Sequence, residues 1–262
     1  EIKNIYKTFN PGTINEKVAL NGLSLKLNEG DFVTVIGGNG AGKSTMLNAV
    51  AGVWPVDEGQ IIIDGIDVTK LSEYKRAAYL GRVFQDPMTG TAATMGIEEN
   101  LALAKRRGKT RLLRSGITKA ERAEYKELLK ILDLGLEDRL TSKVGLLSGG
   151  QRQALTLLMA TLQKPKLLLL DEHTAALDPK TAAKVLNITD KIVNRDHLTT
   201  LMITHNMKDA IAHGNRLIMM MNGKIVLDIQ GEEKKKLTVK QLLDKFEEAS
   251  GEEFSNDSAI LG

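Results

Sequence analysis

The stretch Gly37-Gly38-Asn39-Gly40-Ala41-Gly42-Lys43-Ser44-Thr45 decides the fold, because it matches the phosphate-loop pattern G-x-x-x-x-G-K-[ST]. Its glycines allow the backbone to curl with its N–H groups pointing inward, which suits an anionic polyphosphate. We expect Lys43 to reach the β- and γ-phosphates of a nucleotide, Ser44 to place its hydroxyl on Mg²⁺, and Thr45 to meet the α-phosphate. The alternative is an accidental glycine-rich turn, and the elements on either side of the loop disfavour it.

Those elements are a strand before the loop and a helix after it. Phe32-Val33-Thr34-Val35-Ile36 is a short apolar run with β-branched residues, which predicts a buried strand, and residues 43–50 are typical of a helix. Further strands are predicted over residues 18–27, 59–66, 78–84, 166–171 and 199–204, with a hairpin of 216–221 and 224–229 around Asn222-Gly223. This alternation of strands and helices predicts an α/β fold with a mostly parallel sheet.

Capping residues mark several helix starts. Helices are predicted to begin after Ser148, Asp178, Asn206 and Thr238, each of which can accept a hydrogen bond from the first turn. Residues 120–132 carry an apolar stripe of helical spacing, whereas residues 106–119 are predicted to form a loop or a frayed helix end. The Leu-rich region 86–147 therefore interrupts the sheet as a helical insertion.

Two acidic residues follow the predicted strand Leu167-Leu168-Leu169-Leu170. Asp171 at the end of that strand can lie beside the phosphate loop and hold Mg²⁺, and Glu172 can activate an attacking water. A solvated strand end is the more common meaning of two such acids, but the phosphate loop upstream favours the catalytic interpretation.

Composition narrows the class of protein. The 262 residues include no Cys, which excludes disulfides and thiolate metal sites, and the formal net charge is +3. No run approaches the roughly 20 apolar residues of a membrane span, so a cytoplasmic soluble protein is expected. The segment Lys105–Lys130 is locally basic and can be a docking surface for anionic lipid or nucleic acid, although a solvated helix face is favoured.

The run Leu147-Ser148-Gly149-Gly150-Gln151-Arg152-Gln153 resembles the LSGGQ signature of ABC-type ATPases. Gln85, Asp178 and His205 then match the glutamine loop, the segment after the catalytic glutamate, and the switch histidine, in the order that family requires. The resemblance implies a P-loop NTPase core with a mostly parallel sheet, an antiparallel β subdomain and an inserted helical subdomain. It divides the chain into a discontinuous core (1–85 and 160–231), a helical subdomain (86–159), and a C-terminal helix and tail (232–262).

The same resemblance implies roles for individual residues. Gln85 would ligate Mg²⁺ together with Ser44 and Asp171, and His205 would contact the γ-phosphate. The signature residues Ser148, Gly149, Gly150 and Gln151, with Asp178, would contact ATP held by a second copy of the chain. Phe9 is expected to stack on the adenine, with Tyr6 as the alternative, while His173, His197 and His213 are expected to be structural.

The function implied is that of an ATP-hydrolysing subunit that powers a membrane transporter, working as a homodimer on the cytoplasmic face of the membrane. The run Asp171-Glu172-His173-Thr174 departs from relatives that have Pro or Ala before Thr, and it resembles the branch serving importers of amino-acid-like solutes. The implied partners are integral membrane subunits and, indirectly, an extracytoplasmic substrate-binding protein, with no nucleic acid expected. The alternatives are a soluble ABC ATPase acting on nucleic acid or ribosomes, and a scaffold that binds ATP without turnover.

Overall fold

The computed structural model describes residues 1–109 and 116–250, which form two β-sheets, nine α-helices and one 3₁₀ helix, Val144–Leu146. The strands are β1 Ile2–Phe9, β2 Lys17–Leu25, β3 Phe32–Ile36, β4 Glu58–Ile63, β5 Ile66–Asp67, β6 Leu80–Val83, β7 Leu167–Asp171, β8 Thr200–Ile203, β9 Arg216–Met221 and β10 Lys224–Gln230. The helices are α1 Lys43–Ala51, α2 Glu73–Arg76, α3 Ile97–Lys105, α4 Lys119–Lys130, α5 Gly149–Thr161, α6 Pro179–Asp196, α7 Met207–Ala212, α8 Gly231–Lys236 and α9 Val239–Ser250.

The larger sheet places the ends of its central strands together. Its order is β10-β9-β3-β8-β7-β6, and every pairing is parallel except that between β9 and β10. All five residues of β3 are buried, as its apolar sequence predicts. Because the strands are parallel, the carboxyl ends of β3, β7 and β8 lie on one edge, where ligands bind in sheets of this kind.

The smaller sheet is antiparallel, in the order β2-β1-β4-β5. Its inner face shares one apolar core with helix α1 and with β3, β7 and β8, so that the two sheets enclose α1. At the far end of the β1–β2 ladder, Phe9 lies opposite Lys17. These two residues therefore share one face of the small sheet.

A second core holds the helical part of the chain. It unites α3, α4, α5 and α6 with β7, and includes the fully buried Leu129 and Leu132 from the stripe predicted over residues 120–132. Ala123, predicted as part of that stripe, is exposed, and Tyr125, which was not predicted, is fully buried instead. A third core joins α7, β9 and β10 to the C-terminal helix α9 through Leu242 and Phe246. The predicted domain boundaries at 85/86, 159/160 and 231/232 remain predictions.

Most predicted elements are found within two or three residues of their expected bounds. The hairpin turn at Asn222-Gly223 and the helix starts after Ser148, Asp178, Asn206 and Thr238 are confirmed. Strand β1 and helices α2 and α8 had no predicted counterpart, and the single strand predicted over 59–66 is two strands, β4 and β5. Residues 110–115, which fall in the predicted loop 106–119, and the predicted tail after residue 250 lie outside the described residues.

The basic segment Lys105–Lys130 is partly paired where the structure describes it. Five of its eight described basic residues form ion pairs, and the bridges are Lys105–Glu124, Arg106–Glu121, Arg122–Glu98, Lys126–Asp138 and Lys130–Glu127. This pairing supports the interpretation as a solvated helix face. Within residues 1–109 and 116–250, no helix is long and apolar enough to cross a bilayer.

Candidate nucleotide site

The phosphate loop links the end of β3 to the start of α1, and its glycines hold conformations that other residues rarely adopt. Gly37, Gly40 and Gly42 have φ angles of 148°, 80° and 100°. At Gly42 a Cβ would come within 2.5 Å of the carbonyl oxygen of Ala19 in β2, so the close approach itself requires glycine. The turn between β9 and β10 is hydrogen-bonded to the loop, since the N–H of Gly223 donates to the carbonyl of Ala41 at 3.0 Å.

Lys43 lies across the mouth of this loop. Its Nζ donates to the carbonyl oxygens of Gly37 at 2.6 Å and Gly38 at 3.1 Å, and the residue is 8% exposed. Burial lowers the pKa of Lys43, and the carboxylates of Glu172 and Asp171 partly offset that effect. The amine is thus held where the loop converges, beside the two acids predicted from sequence.

Asp171 ends β7 and is held by a neighbouring strand. The Nη2 atom of Arg82, on β6, lies 3.5 Å from its carboxylate and 2.8 Å from the amide oxygen of Asn48 on α1. The guanidinium also stacks on the ring of Phe84, 4.6 Å from its centroid. Burial raises the pKa of Asp171, and the positive charge of Arg82 acts in the opposite direction. No pattern in the sequence pointed to Arg82, because its contact depends on the pairing of β6 with β7.

Glu172 follows in an unusual backbone conformation. Its φ of 44° places a non-glycine residue in the left-handed region, where strain is often associated with function. Its N–H donates to the carbonyl of Ile203 at 3.1 Å, which ties it to the end of β8. From the segment after that strand, Nδ1 of His205 approaches the Glu172 carboxylate to 3.8 Å. The predicted base and the predicted switch histidine are therefore neighbours.

Lys43, Glu172 and His205 open onto one pocket of about 240 Å³, which Asp171 does not line. It is lined by the loop residues Gly37, Gly38 and Asn39 with Lys43, by Glu172 and His205, and by an apolar wall of Ile36, Met207, Met219 and Phe246. Phe246 comes from α9, so the C-terminal helix forms part of the wall. Sequence reasoning left the role of this helix open.

An aromatic pair stands apart from that pocket, next to the loop 10–16. The rings of Phe9 and Trp54 meet edge to face with centroids 5.0 Å apart, and Nζ of Lys7 lies 5.7 Å from the Phe9 centroid. Tyr6 instead directs its hydroxyl toward Gly22 of the neighbouring strand. Trp54, which the sequence did not suggest, packs on Phe9, and the choice between Phe9 and Tyr6 as the adenine platform stays a prediction.

The signature residues lie elsewhere, at the start of α5. Ser148 caps that helix, its hydroxyl accepting from the N–H of Gln151 at 3.3 Å while the Gln151 side chain accepts from the N–H of Ser148 at 3.1 Å. The N-terminus of α6 packs beside it, and Asp178 caps α6 through the N–H of Thr181 at 3.1 Å. Gly149, Gly150 and Asp178 do not line the pocket of Lys43 and Glu172.

Other predicted residues are only partly brought together. Ser44 is exposed and Thr45 half-buried in the first turn of α1, and Gln85 is exposed just after β6. None of the three lines the 240 Å³ pocket. The structure therefore unites Lys43, Glu172 and His205 around one cavity, and Gln85 does not line it.

The remaining histidines make structural contacts. His173 is 2% exposed, its Nε2 lies 3.1 Å from the hydroxyl of Thr189, and burial lowers its pKa to about 4. His213 bonds the carboxylate of Asp190 at 2.7 Å, and His197 ends α6 with a left-handed φ of 50°. These contacts agree with their assignment from sequence.

Known proteins share this arrangement. The family model described as ABC transporter matches residues 20–175, which is more than half of the chain. The chain belongs to this family. It is accordingly an ATP-binding and ATP-hydrolysing subunit of an ABC transporter.

Individual relatives extend the likeness along the chain. A tyrosine transport ATP-binding protein of Clostridioides difficile is 48% identical over 95% of this chain and 99% of the relative. A methionine import ATP-binding protein of Bartonella henselae is 34% identical over 86% of this chain, which spans 63% of that relative.

Solved structures of ATP-binding cassettes share the fold. A dimeric cassette in a post-hydrolysis state with ADP and Pi is 31% identical with a TM-score of 0.73, covering 87% of this chain and 97% of that one. The ADP conformation of another cassette is 27% identical with a TM-score of 0.76, covering 96% and 98%. The predicted fold class, with its parallel-rich sheet and separate antiparallel sheet, is confirmed.

Proposed function

We propose that this ABC ATPase binds ATP with its phosphates in the loop Gly37–Thr45 and its adenine on Phe9. The observation that carries this proposal is the meeting of Lys43, Glu172 and His205 around one pocket at the carboxyl edge of the sheet. The loop N–H groups and Lys43 stabilise charge on the transferred phosphoryl group. Glu172 accepts a proton from the attacking water, and His205 orients that water and the γ-phosphate.

The oxygen donors near the loop fit a magnesium ion. Magnesium in nucleotide sites is commonly held by one or two carboxylates with substrate phosphates, and Asp171, the Ser44 hydroxyl and the Gln85 amide supply only oxygen ligands. Across the described ranges there is no cluster of three or more His, Asp or Glu that would hold a metal without the nucleotide. When bound, the ion would neutralise charge on the phosphates.

We further propose a homodimer in which each ATP is shared between two copies. The start of α5, with Ser148 and Gly150, presents the positive end of the helix dipole, which suits a phosphate. Within one chain these residues are away from Lys43 and Glu172, so a second copy supplies them to complete the site. Asp178, which caps the neighbouring helix, would join the same contact.

The transported solute is proposed to be a small molecule of the amino-acid class, taken inward. This rests on the names of the relatives, of which the tyrosine transport protein covers nearly the whole chain. The protein would act on the cytoplasmic face of the membrane beneath integral membrane subunits, with an extracytoplasmic binding protein delivering the solute. Nucleic acid is not an expected partner, and ion pairs with carboxylates at five of the described basic residues of the segment Lys105–Lys130 support this expectation.

The substitution Glu172→Gln tests the catalytic assignment. It keeps the size of the side chain but removes the base, so ATP turnover should fall at least about a hundredfold, in the range of lost general-base catalysis. ATP should stay bound, and dimers should accumulate in size-exclusion chromatography with ATP. Unchanged turnover would remove Glu172 from the role of base, and ATPase activity stimulated by nucleic acid instead of by membrane subunits would favour the soluble alternative.

A further inference from the structure

A lysine that belongs to neither the phosphate loop nor the acidic pair reaches the nucleotide-binding face. Lys17 is the first residue of β2, and it lies directly opposite Phe9 in the β1–β2 ladder. Directly opposed residues in an antiparallel pair place their side chains on the same face. Lys17 therefore shares the face of the small sheet that carries the adenine platform.

The amine of Lys17 extends from that face to the phosphate loop. Its Nζ lies 3.3 Å from the point that a Cβ on Gly40 would occupy. Gly40 is the middle glycine of the loop, with a φ of 80°. The side chain thus connects the two halves of the proposed ATP site, with the aromatic ring at one end and the loop at the other.

No anionic side chain within residues 1–109 and 116–250 forms an ion pair that accounts for the position of the Lys17 amine. Among the described ion pairs, the neighbouring lysines Lys3 and Lys7 have the carboxylate partners Glu1 and Asp57, but Lys17 has none. The adjacent acid, Glu16, points back into its own loop, where its carboxylate accepts from the N–H of Gly12 at 2.6 Å. Lys17 is exposed, so its charge is available to a ligand.

We propose that Lys17 is a nucleotide-binding residue that contacts the α-phosphate. This inference rests on the proposed ATP site, because it takes Phe9 as the base platform and the loop as the holder of the β- and γ-phosphates. In ATP the α-phosphate lies between the base and the β- and γ-phosphates. With the base on Phe9 and the outer phosphates in the loop, the α-phosphate lies where the Lys17 amine is. A charged amine pairs with a phosphate oxygen by a charge-assisted hydrogen bond.

The test is the affinity of Lys17→Met for ATP, ADP, AMP and adenosine, measured by displacement of a fluorescent nucleotide. Methionine keeps most of the apolar length and removes the charge. Affinity for ATP, ADP and AMP should each fall about three- to tenfold, since the contact is partly exposed and screened by water, while adenosine is unaffected. Lys17→Arg should keep most of the affinity, and Lys17→Met should show a weaker salt dependence.

A matched control is Lys26→Met, which removes the same charge from an exposed lysine just beyond the other end of β2. It should leave all four affinities unchanged. Unchanged ATP affinity in Lys17→Met, an equal loss for adenosine, or a loss confined to ATP would each overturn an α-phosphate contact. Lys43→Ala separates this result from the proposed function: if Lys43→Ala loses ATP while Lys17→Met does not, only the role of Lys17 fails.

Discussion

Arg76 secures the C-terminal end of the helix that begins in the phosphate loop, and its removal should be costly. The residue is 2% exposed, and its Nη1 donates to the carbonyls of Ala49 at 2.7 Å and Val50 at 2.9 Å in the last turn of α1. Its Nε and Nη2 bond the carbonyls of Leu71 at 2.9 Å and Thr69 at 2.8 Å. A basic side chain at a helix C-terminus also complements the helix dipole.

The cost of Arg76→Met follows from which carbonyls remain paired. Ala49 keeps the N–H of Gly52 at 3.2 Å, whereas Val50 has no second donor among the described residues. A buried unpaired carbonyl costs about 1–3 kcal/mol, and the partly solvated bonds to Leu71 and Thr69 add about 1 kcal/mol. The free energy of unfolding should therefore fall by about 2–4 kcal/mol, which for a chain of this size lowers the melting temperature by about 5–15 °C.

The assay is thermal unfolding of the nucleotide-free protein followed by circular dichroism. Lys75→Met is a matched control, because it removes a lysine from the same short helix, α2, whose side chain is exposed. The control should melt within about 1 °C of the parent protein, as surface substitutions usually do. If Arg76→Met also melts within 2 °C of the parent, the reasoning that Arg76 satisfies buried carbonyls of α1 is refuted.

Two further predictions concern the surroundings of the acidic pair. Phe246→Ala should destabilise the protein by about 3 kcal/mol and lower kcat more than it raises KM for ATP, because α9 packs against the helix that follows His205. Phe246→Leu should restore most of the stability and most of kcat. An unchanged kcat in Phe246→Ala would show that α9 does not act on the site. Burial lowers the folded-state pKa of His173 to about 4 from 6.5, so the unfolded chain binds more protons below pH 6.5 and stability is lost between about pH 6.5 and 4. Urea unfolding at pH 6.5 and 5.5 should show His173→Gln losing about 1 kcal/mol less than the parent across that unit, and equal losses would contradict a neutral buried imidazole.

Short-range sequence patterns were sufficient to predict the strands and helices that carry the candidate site. The strand β3, the glycine loop, and the helix starts after Ser148 and Asp178 follow from short-range signals, because a β-branched run or a capping residue acts on its immediate neighbours. Glu172 and His205, which the ordered motifs single out, lie near each other in the fold.

Contacts between distant segments could not be predicted in this way. Trp54 packs on Phe9, and Arg82 reaches Asp171, only because separate strands and loops meet in the folded chain. Strand β1 was missed because its register is irregular, with shifts along its pairing with β2 and a left-handed φ of 47° at Asn4. Helix α8 has the sequence GEEKKK, which carries no apolar stripe, and its one buried residue is Lys234, bonded to the carbonyl of Gly214 at 2.9 Å.

The hairpin turn beneath the phosphate loop has a mechanical consequence. Gly223 bonds the loop through Ala41 and, through its own carbonyl, accepts from the N–H of Asn21 in β2 at 3.1 Å, and a Cβ there would meet the β2 backbone at 2.8 Å. The turn thus links the two sheets, one of which carries Phe9 and the other the phosphate loop. The turn therefore fixes the distance between Phe9 and the phosphate loop. A ligand must match this distance between its base and its phosphates before a second copy of the chain contacts it.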